Sequence, residues 1–233
     1  MLLTILLGAG ALLFVGMNQN SRAAAFPLHG LDVSHHQGDI DWSQVAAAGE
    51  HKFVWIKASE GGDWLDPKFA DNWRGAQDAG LAAGAYHYFT LCRPGAEQAE
   101  HFIRTVKPLI DAADGPTLAP AVDLEFTGNC KERPPLEQVT AEAKAFLDAV
   151  ERELGRRPVV YTTARFARAY DSETLRAYPR WLRSVRQAPP GEPGRDWVVW
   201  QFNDNRALPG INGPVDENAA SVTLEQLTAP SGG

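Results

Sequence analysis

Only two of the 233 residues are cysteine, Cys92 and Cys130. Two cysteines cannot staple a small disulfide scaffold or supply a four-thiolate metal site. They could join each other. In an oxidising compartment a bridge closing 38 residues (130 − 92) is worth about 4 kcal/mol in the chain-entropy model. The alternative is two unpaired thiols. Basic residues are also few: 22 Lys and Arg against 29 Asp and Glu leave a formal charge of −7. The chain therefore lacks the basic footprint of a nucleic-acid binder. Zincin, P-loop, dinucleotide-binding and G-x-S-x-G fingerprints are missing. So are repeats of fixed period and low-complexity blocks.

Long apolar runs are missing too. Residues 2–16, LLTILLGAGALLFVG, carry no charge but fall short of the ~20 residues of a spanning helix. Polar NQNSR and the small-residue site Ala23-Ala24-Ala25 follow, the pattern of a secretory signal peptide cut near Ala25. No basic residue precedes the apolar run, so an uncleaved N-terminal anchor is the alternative. Either reading exports the domain, to the periplasm or the exterior. The expected organisation is residues 1–25 as leader or anchor, 26–227 as one domain, and 228–233 as a flexible tail.

What is present alternates. Short apolar strands begin at Gly30 (GLDVS), Phe53 (FVWIKAS), Leu81 (LAAGAYHYF), Leu118 (LAPAVDLE) and Pro158 (PVVYTT). Between them lie helical patterns over 42–49, 67–80 and from Pro94, then a long one over 136–154 that ends at Gly155. A weaker helical patch covers 164–177. RWLRSV, DWVVWQFN and a segment near Val215 then read as strands without crossover helices. Five βα units followed by three strands predict a single-domain α/β barrel, its last part irregular.

The chemistry sits in Ala121–Gly128, AVDLEFTG. Side chains two apart on a strand share a face, so Asp123 and Glu125 are neighbours with Cα atoms about 6.6 Å apart. Val122, Leu124 and Phe126 point the other way, toward helices. In a βα barrel the C-terminal strand ends build the active site. Two carboxyls held close in a partly dry cleft cannot both ionise freely, and the one with the raised pKa can donate a proton. Such a pair suits glycosidic cleavage; the bland alternative is a structural ion-pair network. Other strand ends add Asp32, Lys57, Tyr86, His87, Tyr88, Tyr161, Trp200, Gln201 and Asp216. Asp32 alone could be a helix cap, and His87 a satisfied core histidine. His35 and His36, if on a strand, would point to opposite faces and could not chelate together.

Several segments taken together resemble glycoside hydrolase family 25, the Chalaropsis-type lysozymes: LDVSHHQGDIDW, FVWIKASEG, DPKFADNW, AGLAAGAYHYF, AVDLE, VVYTT, WVVWQF and PGINGPVDEN, in the family's order. The resemblance implies an irregular (β/α)5(β)3 TIM-like barrel. It implies hydrolysis of the β-1,4 bond between N-acetylmuramic acid and N-acetylglucosamine in peptidoglycan. No cofactor, metal or obligate protein partner is expected, and the chain is expected to be a monomer. By the same resemblance Glu125 is the proton donor, Asp123 the partner that stabilises the substrate N-acetyl group, and Asp32 and Asp216 the flanking acids. Tyr86, Tyr88, Tyr161, Trp200, Lys57 and Gln201 are the expected substrate-binding residues. Departures from the family fall at Trp55, Trp64 and the basic stretch RWLRSVRQ. The acidic balance argues against electrostatic targeting to an anionic wall. Three rivals stand beside this reading: a non-catalytic glycan-binding barrel, which would have lost the acids; a chitin-acting glycosidase, whose D-x-x-D-x-D-x-E signature is absent; and a structural or partner-binding role unrelated to sugar.

Overall fold

The computed structural model describes residues 19–230. Nine strands form one sheet: β1 (Leu28–Val33), β2 (Phe53–Glu60), β3 (Trp64–Leu65), β4 (Ala82–Tyr88), β5 (Ala121–Leu124), β6 (Val159–Thr163), β7 (Arg180–Arg183), β8 (Val199–Arg206) and β9 (Val215–Ala220). β1 pairs with both β2 and β9, so eight strands close into a barrel, and β3 is a two-residue flap hydrogen-bonded to β2. Every barrel pair is parallel except β8–β9 and β9–β1. The eight expected barrel strands are all present. The flap is additional, and two residues give too little periodicity to signal it.

Helices α1 (Gln19–Ala23), α2 (Trp42–Ala47), α3 (Phe69–Asp78), α4 (Gly95–Asp111), α5 (Leu136–Leu154), α6 (Ala164–Tyr170), α7 (Glu173–Arg176) and α8 (Leu224–Thr228) complete the described chain. α5 spans the predicted residues because its apolar positions recur at helical spacing and Gly155 adopts the left-handed conformation (φ 63°) that stops it. Val139, Ala143, Phe146, Leu147 and Val150 form its buried stripe. The predicted patch over 164–177 is two short helices, each capped by a hydroxyl: Thr163 accepts from the Phe166 N–H, and Ser172 from the Leu175 N–H.

Alternation along the strands divides the apolar residues into two cores. Val54, Ile56, Val122, Leu124 and Val160 face outward and pack against the helices. Phe53, Trp55, Ala121, Val159, Tyr161 and Trp181 fill the barrel interior. Its middle layer works by size complementarity: Gly84 leaves the space that the Trp55 indole fills, and Trp55 stacks on Trp181 with ring centroids 4.9 Å apart. The Trp55 Nε1–H donates to the Ala119 carbonyl at 3.0 Å, so the buried indole is satisfied.

The apolar run 2–16 lies outside the described residues, as do positions 231–233 of the expected tail. The segment just after that run is seated on the barrel: Ala23 is fully buried against Trp197, Trp200 and Phe202. Among the described residues no helix is long and apolar enough to cross a membrane.

A methyl group added at Gly84 would lie 2.7 Å from the Trp55 ring and 2.8 Å from the Leu118 Cβ. Gly84→Ala should therefore destabilise the fold by about 1–3 kcal/mol. Urea unfolding followed by tryptophan fluorescence would measure it, and an unchanged midpoint would contradict this packing of the interior.

Candidate active site

The acids meet at the C-terminal mouth of the barrel. A cavity of about 80 Å³ there is lined by Asp32, Tyr86, Asp123, Glu125, Tyr161, Trp181, Gln201 and Asp216. Asp32, Tyr86, Asp123 and Tyr161 all lie near the C-terminal ends of parallel strands. Asp216 instead opens β9, and it reaches the same rim because β9 runs antiparallel. The ladder sets Asp32 directly opposite Asp216, where Cβ atoms are about 5 Å apart. Glu125 is the first residue beyond β5 and is less buried than Asp123. It also borders a wider cleft of about 410 Å³, together with Thr127, Tyr161, Arg183 and Asp216.

Two hydrogen-bond relays converge on Asp32. The Tyr161 hydroxyl donates to Gln201 Oε1 at 3.0 Å, and Gln201 Nε2 donates to Asp32 Oδ2 at 2.9 Å. The Trp181 Nε1–H donates to Asn218 Oδ1 at 2.7 Å, and Asn218 Nδ2 donates to the same Asp32 oxygen at 2.7 Å. Burial pushes Asp32 up, and these amide donors with the Asp216 carboxyl hold it back. Asp216 is pushed up to about 9, by burial first, then by the charge of Asp32 and the hydrogen bond it gives Asp32. At neutral pH Asp216 therefore keeps its proton.

Asp123 has no comparable support. Its Oδ1 is buried and has no hydrogen-bond partner. Burial, then the charge of Glu125, raises its pKa well above the usual range. Glu125 is raised as well, by burial first, against a lowering by Arg183. Burial and the surrounding acids likewise keep Tyr86 and Tyr161 as neutral phenols.

Other sequence-predicted residues lie outside the cavity. The Tyr88 hydroxyl donates to the Thr127 carbonyl at 2.6 Å and so braces the loop that follows Glu125. Lys57 pairs with Glu60 at 2.7 Å, its ammonium above the rings of Tyr88 and Trp64. Trp200 is not a groove ring. It is 1% exposed on the outer barrel wall, among Trp197, Phe202 and Ala23. Gln201 faces inward, so its strand neighbour must face outward. Sequence reasoning misses Trp181, Arg183 and Asn218: all three sit in strands whose inner face the sequence does not mark, and the first two lie in the departing stretch RWLRSVRQ. His87 is a core histidine: Ser59 and Gln98 satisfy its nitrogens, Phe146 stacks on it, and burial lowers its pKa to about 3. His35 and His36 sit in a 3-10 turn, not on a strand, with ring centroids 4.1 Å apart.

Cys92 and Cys130 are free thiols. They come together all the same, their sulfurs and a Glu132 carboxylate oxygen lying within 4.8 Å of one another. Burial, then contact with Cys92, pushes the Cys130 thiol up to about 12.

Known proteins share this architecture. The model of the family described as "Glycosyl hydrolases family 25" matches residues 31–211. Uncharacterised protein YegX of Escherichia coli K12 is 36% identical over 210 residues, which are 88% of this chain and 74% of YegX. Lysozyme M1 of Streptomyces globisporus is 30% identical, over 87% of this chain and 70% of its own. The solved structure of a family 25 glycosyl hydrolase from Bacillus anthracis aligns with TM-score 0.75 and 31% identity, over 87% of this chain and 92% of that one. With the acid-lined barrel mouth already in place, the match over residues 31–211 is decisive: the chain belongs to glycosyl hydrolase family 25 and is a glycoside hydrolase.

Proposed function

We propose that the protein is a muramidase that hydrolyses the β-1,4 bond between N-acetylmuramic acid and N-acetylglucosamine in peptidoglycan. The observation that carries this reading is the buried, unpartnered Asp123 Oδ1 beside Glu125. A carboxylate oxygen removed from water needs a donor. The N–H of a substrate acetamido group is such a donor, and both sugars of this polymer carry one. The lysozyme named among the relatives supports the same substrate class.

Glu125, whose pKa burial raises, gives its proton to the glycosidic oxygen as the bond to the anomeric carbon breaks. The acetamido oxygen of the same sugar closes onto that carbon. Asp123 accepts the amide N–H and offsets the positive charge of the ring so formed. Water then adds at the anomeric carbon and returns a proton to Glu125, with overall retention. Asp216 keeps its proton at neutral pH, which limits the negative charge beside Asp123 and favours its ionised form when the cationic intermediate appears.

A wall-degrading enzyme acts outside the cytoplasm, so residues 1–25 are proposed as leader or anchor and the barrel as exported and monomeric. In that compartment the adjacent thiols of Cys92 and Cys130 would oxidise to a bridge.

Glu125→Gln should lower kcat by about 10²–10⁴-fold with KM little changed, measured as reducing ends released from purified peptidoglycan. Near-normal turnover would remove Glu125 from this role, and release from chitin oligomers alone would remove the substrate. Asp216 gives a pH test. Folding raises it from 3.8 to about 9, so its stabilising contribution is complete below pH 3.8 and is lost as the pH climbs toward about 9. Between pH ~5 and ~9 the Tm of the native protein should fall more than that of Asp216→Asn, by about 3 °C or more. Parallel curves would mean that Asp216 does not hold its proton across that range.

A further inference from the structure

Beyond the acids the charge of the lining reverses. The 410 Å³ cleft shares Thr163, Arg165, Arg183 and Asp204 with an open groove of about 640 Å³. Four arginines line that groove: Arg165 and Arg168 from α6, Arg183 from the end of β7, and Arg186 from the loop after it. The groove has one carboxylate, Asp204, and it is ion-paired with Arg183. Arg165, Arg168 and Arg186 are exposed, and among the described residues none of them has a carboxylate within 4.0 Å. Arg165 only rests over the Phe126 ring, 5.5 Å from its centroid.

This arrangement has a cost. Like charges three apart on a helix destabilise it, and Arg165 and Arg168 stand at that spacing. The chain carries −7 overall, so acidic partners were available in number. Three guanidinium groups on one groove are left uncompensated within the protein, and a ligand anion would compensate them. The guanidinium fork matches a carboxylate through two parallel N–H···O bonds. The groove volume is that of a small-ligand site. Its position narrows the choice of ligand. In peptidoglycan, muramic acid bears a peptide on its lactyl group, and that peptide carries free carboxylates. A sugar seated over Glu125 would deliver its own peptide to the adjoining groove at high effective concentration. An unattached anionic polymer has no such advantage.

We propose that the arginine groove binds the carboxylates of the stem peptide, so that the enzyme selects peptide-bearing glycan over bare strands. This rests on the muramidase reading above. It also separates two scales of charge: the acidic surface repels an anionic wall at long range, while the groove attracts carboxylates at contact.

Arg183 lies close enough to lower the pKa of Glu125, so it is unsuited to the test. Arg168 and Arg186 make no hydrogen bond or ion pair among the described residues and can be changed together. Arg168→Gln/Arg186→Gln should be compared with the native protein on soluble peptide-bearing glycan strands, and on the same strands stripped of peptide by an amidase. The native protein should prefer the peptide-bearing strands. The double variant should lose about three- to thirtyfold in kcat/KM on them, through KM rather than kcat, and stay within about twofold on stripped strands. The native preference should also shrink as salt rises. Matching thermal unfolding would confirm that both proteins are folded.

Equal loss on both substrates would mean that the groove holds sugar, and no loss on either would mean that it holds nothing. Both results overturn the proposal. So does a loss seen only on walls that retain phosphate-rich polymer, which would assign the groove to phosphate. If the native protein cleaves neither kind of strand, the muramidase reading itself fails, which is distinguishable from failure of the groove alone.

Discussion

Four carboxyl groups gathered at one barrel mouth repel one another, and burial removes the water that would screen them. Protons and amide donors take the place of that water. Asp32 is held by Asn218 and Gln201 and receives a hydrogen bond from Asp216. Those amides are fixed in turn by Trp181 and Tyr161, rings that belong to the interior core. The polar site and the apolar core are thus one network. A change in the Trp55–Trp181 stack reaches Asp32 through a single side chain, Asn218.

Against that supported pair, Asp123 stands out by its lack of partners. Natural structures rarely leave a buried carboxylate oxygen unbonded, and the exceptions concentrate where a ligand supplies the missing bond. Glu125 is placed differently. One residue past the strand, it borders both the small cavity and the wider cleft. In the proposed reaction the deeper acid pairs with the substrate amide, and the shallower one exchanges protons with substrate and water.

The periphery follows from the same barrel. The crossover after β6 puts α6 beside the mouth, and the end of β7 with the short connection after it brings Arg183 and Arg186 to face it. In this way a stretch that departs from the family pattern became the wall of a groove. At the opposite rim of the site, the β3 flap holds Trp64 near Lys57, and His35 and Asp66 bond at 3.0 Å behind it.

The sequence by itself determined the alternation of elements, the span of α5 and the placing of Asp32, Asp123 and Glu125 at strand ends. These are local properties: period-two and period-3.6 patterning, a left-handed glycine stop, acids at the end of an apolar run. It could not determine which of two adjacent strand residues faces the interior: from sequence Trp200 reads as a groove ring, and nothing marks Trp181 as an inner one. That choice depends on register around a closed barrel, and register is set by pairing with strands distant in the chain. Only the tertiary structure decided that β9 runs antiparallel, so that Asp216 opens its strand yet shares a rim with residues that end theirs. It alone brought Asn218 to Asp32, 186 residues apart in sequence, and laid four scattered arginines along one groove.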